Sequence, residues 1–224
     1  MSLRILTMNL YNGAADPTEL AAVLDDEKPN VVAVQELSSN SATVLSEWGE
    51  STLLDPRDDV TGMGMAARTH LATSRVDFPG RNPIIGRFDG APWGLPEVEL
   101  VNVHFTNPIS LPLWDSRRRR RAELAALEGL LRDHDGTSAR VVVGDFNSSP
   151  AWPFYRRIAE LATDGAVQAG TARRTWGYYP NSPRMLRIDH VFLQGPIRCV
   201  ATGLVKVSGA DHRGLLIDLE PLAG

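Results

Sequence analysis

VVAVQ (31–35) and VVV (141–143) are apolar almost without a break, as strands covered on both faces are. LRILTM (3–8) and VELVNVH (98–104) read as strands of the same kind. Between the first two strands, Asn12-Gly13 predicts a turn. Asp16-Pro17-Thr18-Glu19 then has the shape of a capping box with proline at the first helical position, opening a helix to about Lys28. Residues 40–48 predict a short helix, and from 51 to 104 the pattern is mostly strands separated by Gly, Pro and Asp-Gly turns. A long helix is expected after the proline-containing loop 105–113, with Leu124, Leu127 and Leu131 on one stripe. Ser149-Pro150 suggests an N-cap and first residue for a helix reaching about Ala162, and strands are expected near 188–193, 199–207 and 214–219. Strands outnumber helices and several adjoin in sequence, which favours two packed sheets flanked by helices over one parallel sheet. With no internal repeat or linker, residues 1–224 are expected to form one domain.

Composition narrows the class. A chain of 224 residues with 43% hydrophobic content can bury a large core. Its one cysteine, Cys199, excludes an internal disulfide and a cysteine-rich zinc cluster. No run approaches the roughly 18 apolar residues of a membrane span. The first strand starts at Leu3, which leaves no room for a signal peptide; a cytoplasmic monomer is the expectation, with an anchor upstream of Met1-Ser2 left open. The net charge of −4 argues against polyanion binding by the whole surface. Basic residues are unevenly placed, however: of 23, only Lys28 and Lys206 are lysines. Arg117 to Arg121 form a run, and TARRTWGYYPNSPRMLR (171–187) holds Arg173, Arg174, Trp176, Tyr178 and Tyr179 with no acidic residue. Such asymmetry suits a local anion site on an acidic protein.

Polar residues mark the strand ends. Asn9 follows LRILTM, Glu36 follows VVAVQ, His104 ends VELVNVH, and Asp145 and Asn147 end VVVGDFN. Asp189 sits in RIDHVFL, and Asp211-His212 in SGADHRG before the last strand. In extended chain Asp145 and Asn147 point to one side and Phe146 to the other. Each residue alone has a structural explanation: a turn Asn, a cap, a satisfied core His, an Asp-Asn turn bonding its own backbone. Their recurrence is harder to explain so, because uncompensated carboxylates gathered at sheet ends repel one another. A hard divalent cation removes that objection, and with no cysteine partners Mg²⁺ or Mn²⁺ suits the oxygen-rich set better than Zn²⁺.

In this order TMNL, VQE, NVH, GDFN, RIDH and SGADHRG resemble the endonuclease/exonuclease/phosphatase superfamily, over residues 5 to 219. GDFN followed by a distant DH is fairly specific; NL or QE alone is weak. The resemblance implies a four-layer α/β sandwich, two packed mixed β-sheets flanked by helices, deoxyribonuclease-like. It implies that Glu36 is the principal metal ligand, with Asn9, Asp145 and Asp211 on the metal side. It further implies that His104 contacts the scissile phosphate, that Asp145 positions the nucleophilic water, that Asn147 holds a phosphate oxygen, and that Asp189 and His212 act as a hydrogen-bonded pair. His190, next to Asp189 in a strand, is expected to face the other way and be structural. The abasic-site endonuclease pattern has a tyrosine before GDFN, whereas here none lies between Tyr11 and Tyr155, which counts against that specificity.

Substrate is less legible. In the run 117–121 the five charges sit near the positive end of a helix dipole, while Arg117 and Arg120 continue the leucine stripe. They read either as ion pairs with Asp115 and Glu123 or as phosphate contacts near His104. Arg173 or Arg174 with Trp176 could bind phosphate and stack a base, or simply pack the sandwich edge. The leading expectation is a divalent-metal-dependent phosphodiester hydrolase, a nuclease acting on DNA or RNA. The alternatives are a phosphoesterase of phospholipid headgroups (sphingomyelinase-like) or phosphorylated small molecules, and a non-catalytic binding module.

Overall fold

The computed structural model describes residues 1–79, 81 and 83–222. In the first half of the chain β1 (Leu3–Asn9), α1 (Pro17–Glu27), β2 (Val31–Gln35) and α2 (Ser39–Trp48) precede β3 (Ser51–Asp55) and β4 (Met63–Ala67). Then come β5 (Ala72–Arg75), β6 (Ile84–Phe88), β7 (Val98–His104), α3 (Leu113–Arg132), β8 (Ala139–Asp145) and α4 (Pro153–Ala159). The last elements are β9 (Thr163–Asp164), α5 (Gly165–Gln168), β10 (Asp189–Gln194), β11 (Ile197–Val205) and β12 (Gly214–Pro221). They build two six-stranded sheets, in the orders β11-β12-β1-β2-β4-β3 and β5-β6-β7-β8-β10-β9. Each sheet has a parallel pair at its centre, β1 with β2 and β7 with β8; every other pairing is antiparallel among the described residues.

Period-two alternation explains the layers. Leu3 and Ile5 of β1, Val31 and Ala33 of β2, Val98 and Leu100 of β7, and Val141 and Val143 of β8 meet in one core between the sheets. The alternate residues face outward: Leu6, Val32 and Val34 pack under Leu20, Leu24 and Leu45 of α1 and α2. Val101, Val142 and Phe192 pack under Leu124, Leu127 and Leu131 of α3 and Ile158 of α4. The central strands therefore have no solvent face, which is why they read as unbroken apolar runs. The expected four-layer α/β sandwich is the observed fold.

Local expectations were met less evenly. The Asp16 carboxylate caps α1, accepting from Thr18 N–H at 2.8 Å and Glu19 N–H at 3.2 Å. Glu19, however, does not close a capping box: its carboxylate accepts the Ser208 N–H at 2.7 Å and ties α1 to the loop before β12. The helix expected from Pro150 to Ala162 is shorter, because Ser149 only turns the chain (its Oγ accepts the Ala151 N–H at 3.3 Å) and Pro153, not Pro150, opens the helix. In the arginine run, Arg120 does continue the buried stripe, but Arg117 is exposed. No helix among the described residues is long and apolar enough to cross a membrane.

Candidate active site

Following the inter-sheet face toward one end, apolar residues give way to polar ones. After Leu3 and Ile5, β1 continues with Thr7 and Asn9; after Val31 and Ala33, β2 continues with Gln35; after Val98 and Leu100, β7 continues with Asn102 and His104. A buried network forms the floor: Gln35 Nε2 donates to Thr7 Oγ1 at 3.1 Å and to Asn102 Oδ1 at 2.6 Å. Asn102 Nδ2 in turn donates to the carbonyls of Val34 and Gly64 in the opposite sheet, both at 3.0 Å.

Above this floor the strand registers assemble the expected residues. His104 pairs in register with Asp145, and Asp145 with Asp189. Glu36 follows β2 directly, and Asp211 and His212 lie just before β12, which pairs with β1. Glu36 and Asn147 leave their strands in the left-handed region, at φ 56° and 45°. Such torsions cost an L-residue roughly 1–2 kcal/mol and persist only where the surroundings hold them. Here Asn12 N–H donates to Glu36 Oε2 at 2.6 Å, and Asn147 N–H to Asp145 Oδ1 at 2.8 Å.

The carboxylates converge. Asn9 Nδ2 donates to Glu36 Oε1 and Asp145 Oδ2, both at 3.1 Å. His104 Nε2 lies 3.6 Å from that Glu36 oxygen and 3.5 Å from that Asp145 oxygen. Burial, with the charges of Arg81 and His212, holds His104 well below the usual histidine range, so it is neutral. Burial also raises Glu36, and pushes Asp145 up to about 7 against the pull of His212. His212 Nδ1 sits 2.9 and 3.1 Å from the two oxygens of Asp189. Burial opposes its charge, but Asp189 and then Asp145 and Asp211 outweigh it and raise His212 to about 10. Its Nε2 faces Asp145 Oδ2 and Asp211 Oδ1, each at 3.9 Å.

Three expected residues make hydrogen bonds within the site itself. Asn9 turns its amide N–H to the carboxylates, clamping the acidic pair, while its oxygen accepts the Tyr11 N–H at 2.9 Å. Asn147 spends both amide protons internally, on the Phe105 carbonyl and on Asp145 Oδ2, each at 3.0 Å. A phosphate oxygen would have to displace one of them. Trp176 is only partly exposed and donates Nε1–H to Asp211 Oδ2 at 2.9 Å, so it braces the site from beside His212. Arg173 and Arg174 are exposed and have no ion pair or hydrogen bond among the described residues. The other arginines of that segment are structural: Arg184 donates to the Asp211 carbonyl, and Arg187 pairs with Asp164 at 2.7 Å. His190 faces away from the cleft, with Nε2 donating to the Ser148 carbonyl at 2.7 Å. Cys199 is buried in β11, its thiol pushed up to about 12 by burial, and is no nucleophile.

Arg81 was not expected here. It lies in the β5–β6 connection, which reads in sequence only as a Gly/Pro turn, yet its charge acts on Glu36, Asp145 and Glu123. Its Nη1 is buried with no hydrogen-bond partner among the described residues. Arg120 stacks over the Phe154 ring at 4.4 Å and donates to the Thr106 carbonyl, while Glu123 accepts from Thr106 Oγ1 at 2.6 Å. Helix α3 thereby fixes the loop that follows His104.

The donor set fits a hard cation. Glu36 Oε1 and Asp145 Oδ2 converge, Asp211 Oδ1 is buried without a hydrogen-bond partner, and burial raises all three carboxyls against the pull of His212. Among the described residues no group of three or more His, Cys, Asp or Glu forms a ready metal cage. Zinc would want such a cage, whereas Mg²⁺ takes one or two carboxylates and completes its shell with water and substrate oxygens.

The model of the Endonuclease/Exonuclease/phosphatase family matches residues 6–212. No curated protein matches the chain. Among solved structures, an endonuclease/exonuclease/phosphatase from Beutenbergia cavernae is 23% identical, with TM-score 0.73, over 98% of this chain and 72% of that one. D. rerio TDP2 humanized by 14 mutations is 19% identical, with TM-score 0.79, over 98% and 99%. D. rerio TDP2 complexed with single-strand DNA product is 17% identical, with TM-score 0.76, over 98% and 99%.

Proposed function

The chain belongs to the Endonuclease/Exonuclease/phosphatase family, and on that premise we propose that it is a divalent-metal-dependent phosphodiester hydrolase whose substrate is DNA or RNA. The family and fold are those of phosphoesterases and nucleases. The observation that carries the reading is the convergence of Glu36 and Asp145 on one point between Asn9, His104 and the Asp189–His212 pair. Glu36 and Asp145, with Asp211 nearby, would hold Mg²⁺ or Mn²⁺, which would supply a Lewis acid to a phosphoryl oxygen. Asp145, held between Asn9 and Asn147, would orient the attacking water beside the ion. His212, charged and oriented by Asp189, holds a proton on Nε2 beside the reacting phosphate. Neutral His104 and the free Nη1 of Arg81 supply donors to phosphate oxygens, stabilising charge that builds in the transition state. The DNA-bound relative supports nucleic acid as the substrate class. A second reading, phospholipid-headgroup hydrolysis, is favoured by the exposed apolar stretch that follows His104 in the chain.

Turnover of plasmid DNA, RNA, bis-p-nitrophenyl phosphate and sphingomyelin with Mg²⁺ or Mn²⁺ tests the reading. Glu36→Gln should lose metal-dependent activity by more than the roughly 10–100-fold typical of a supporting residue, with its fold intact. Unchanged metal affinity in that variant would overturn the assignment.

A further inference from the structure

The chain after His104 runs through Ile109-Ser110-Leu111-Pro112 into Leu113-Trp114 at the start of α3 and, from Phe105 to Trp114, holds no acidic residue. Its apolar side chains face solvent: Ile109 is 72% exposed, Leu111 84%, Leu113 45% and Trp114 68%. Helix α3 extends the same surface, because Trp114, Arg117, Arg118 and Arg121 stand at i, i+3, i+4 and i+7. Together with Leu111 and Leu113 they line one open groove. Arg118 pairs with Asp115 at 2.9 Å, but the exposed Arg117 and Arg121 have no ion pair among the described residues. The bare aliphatic side chains are poorly matched to water, while Arg117 and Arg121 beside them carry charge that no carboxylate offsets among the described residues. They match a boundary that is apolar within and anionic at its rim.

We propose that this face docks the protein on an anionic lipid bilayer. Charge complementarity selects the occupant: the chain carries −4 overall, so an anionic surface repels most of it and attracts this face, which orients the molecule. Nucleic acid fits less well, since three of the four apolar side chains are aliphatic and offer a base no π-face to stack on. A second copy fits less well again, because a two-fold pairing of the face would set its arginines against each other. The loop springs from the strand end that carries His104, so the docking face and the candidate site are joined by one short connection.

The test needs no turnover, which separates its failure from that of the hydrolase reading. The full chain is sedimented with vesicles of phosphatidylcholine alone, and of phosphatidylcholine and phosphatidylglycerol in equal parts. Binding is expected to the mixed vesicles only. Arg117→Ser with Arg121→Ser should weaken it by roughly thirtyfold, since each arginine near an anionic surface contributes about 1 kcal/mol. Leu111→Ser with Trp114→Ser should weaken it by about tenfold or more, through lost apolar burial. Both variants alter only exposed side chains and should melt like the parent and hydrolyse a small chromogenic diester equally well. No binding to mixed vesicles, or binding that both variants retain, overturns the proposal. So does loss, in the same variants, of single-stranded oligonucleotide binding by a protein that ignores vesicles.

Discussion

A guanidinium nitrogen buried without a hydrogen-bond partner costs free energy unless a ligand completes it. Arg81 Nη1 is in that position, and the charge of Arg81 acts on Glu36 and Asp145. Arg81→Ala should therefore lower kcat/KM for a small diester by about 10²–10³, the usual cost of one lost transition-state donor, without lowering the melting temperature. Arg81→Lys should recover only part, since it restores the charge but not the fork. Unchanged kinetics in the alanine variant would mean that Arg81 merely balances the acidic pair. His190 makes a stability prediction instead. It is fully buried, and burial, with the charge of Arg187, lowers it from 6.5 to about 4. Between those pH values the unfolded chain takes up a proton that the folded chain refuses, so stability is complete above about 6.5 and falls as the pH drops toward 4. The loss should total on the order of 3 kcal/mol. In His190→Phe, which the rings of Phe146, Tyr155 and Phe192 can accommodate, this share of the acid-dependent loss should vanish from urea melts run across the same range, leaving the share due to buried His104. The variant should also lose about 1–3 kcal/mol at neutral pH, where the Ser148 carbonyl goes unpaired.

At the scale of elements, the glycine before Asp145 fixes how closely β7 and β8 approach at the site. Gly144 has φ 132°, and a Cβ there would lie 2.0 Å from the Val103 carbonyl oxygen. Gly144→Ala must push β8 from β7 where His104 and Asp145 stand side by side. It is expected to destabilise by about 2–4 kcal/mol and to abolish turnover even where the variant still folds. A urea melt matching the parent would refute that account of the strand end. The strands themselves were legible because burial on both faces leaves a plain apolar run, and their polar last residues were legible as departures from it. The backbone turns after them were not. Glu36 is held left-handed by a partner distant in the chain, Asn12, and Asn147 by Asp145 within GDFN together with the distant Phe105 carbonyl, so neither turn follows from its motif alone. Nor does sequence decide between Pro150 and Pro153 as the opening of α4, or reveal that Glu19 would reach across to Ser208. Arg81 escaped notice because a turn residue gives no periodicity from which to infer its direction.

The molecule as a whole joins two sheets with similar centres, and the candidate site straddles their seam. Asn9 and Glu36 come from the first sheet, His104, Asp145 and Asp189 from the second, so the spacing between sheets sets the spacing between acidic groups. Dispersion contacts between Val, Ile and Leu fix that spacing only loosely along the strands, since apolar packing is not directional. The bridge of Gln35 to Asn102, with Asn102 reaching the Val34 and Gly64 carbonyls, supplies direction just beneath the site. Asn102→Ala removes three buried hydrogen bonds and leaves their partners stranded, which should cost about 2–4 kcal/mol. Gln35→Ala should cost less, because its Oε1 already lacks a partner among the described residues. Since each variant strands the same bond, the double variant should be less destabilised than the two losses added, by roughly 0.5–3 kcal/mol in a double-mutant cycle followed by urea melts. In addition, kcat on a small diester should fall in either single variant at temperatures well below its melt, because the sheets can then slide and carry Glu36 away from Asp145. Strict additivity with full activity would mean that apolar packing alone holds the sheets in register, and that the polar floor has no part in placing the carboxylates.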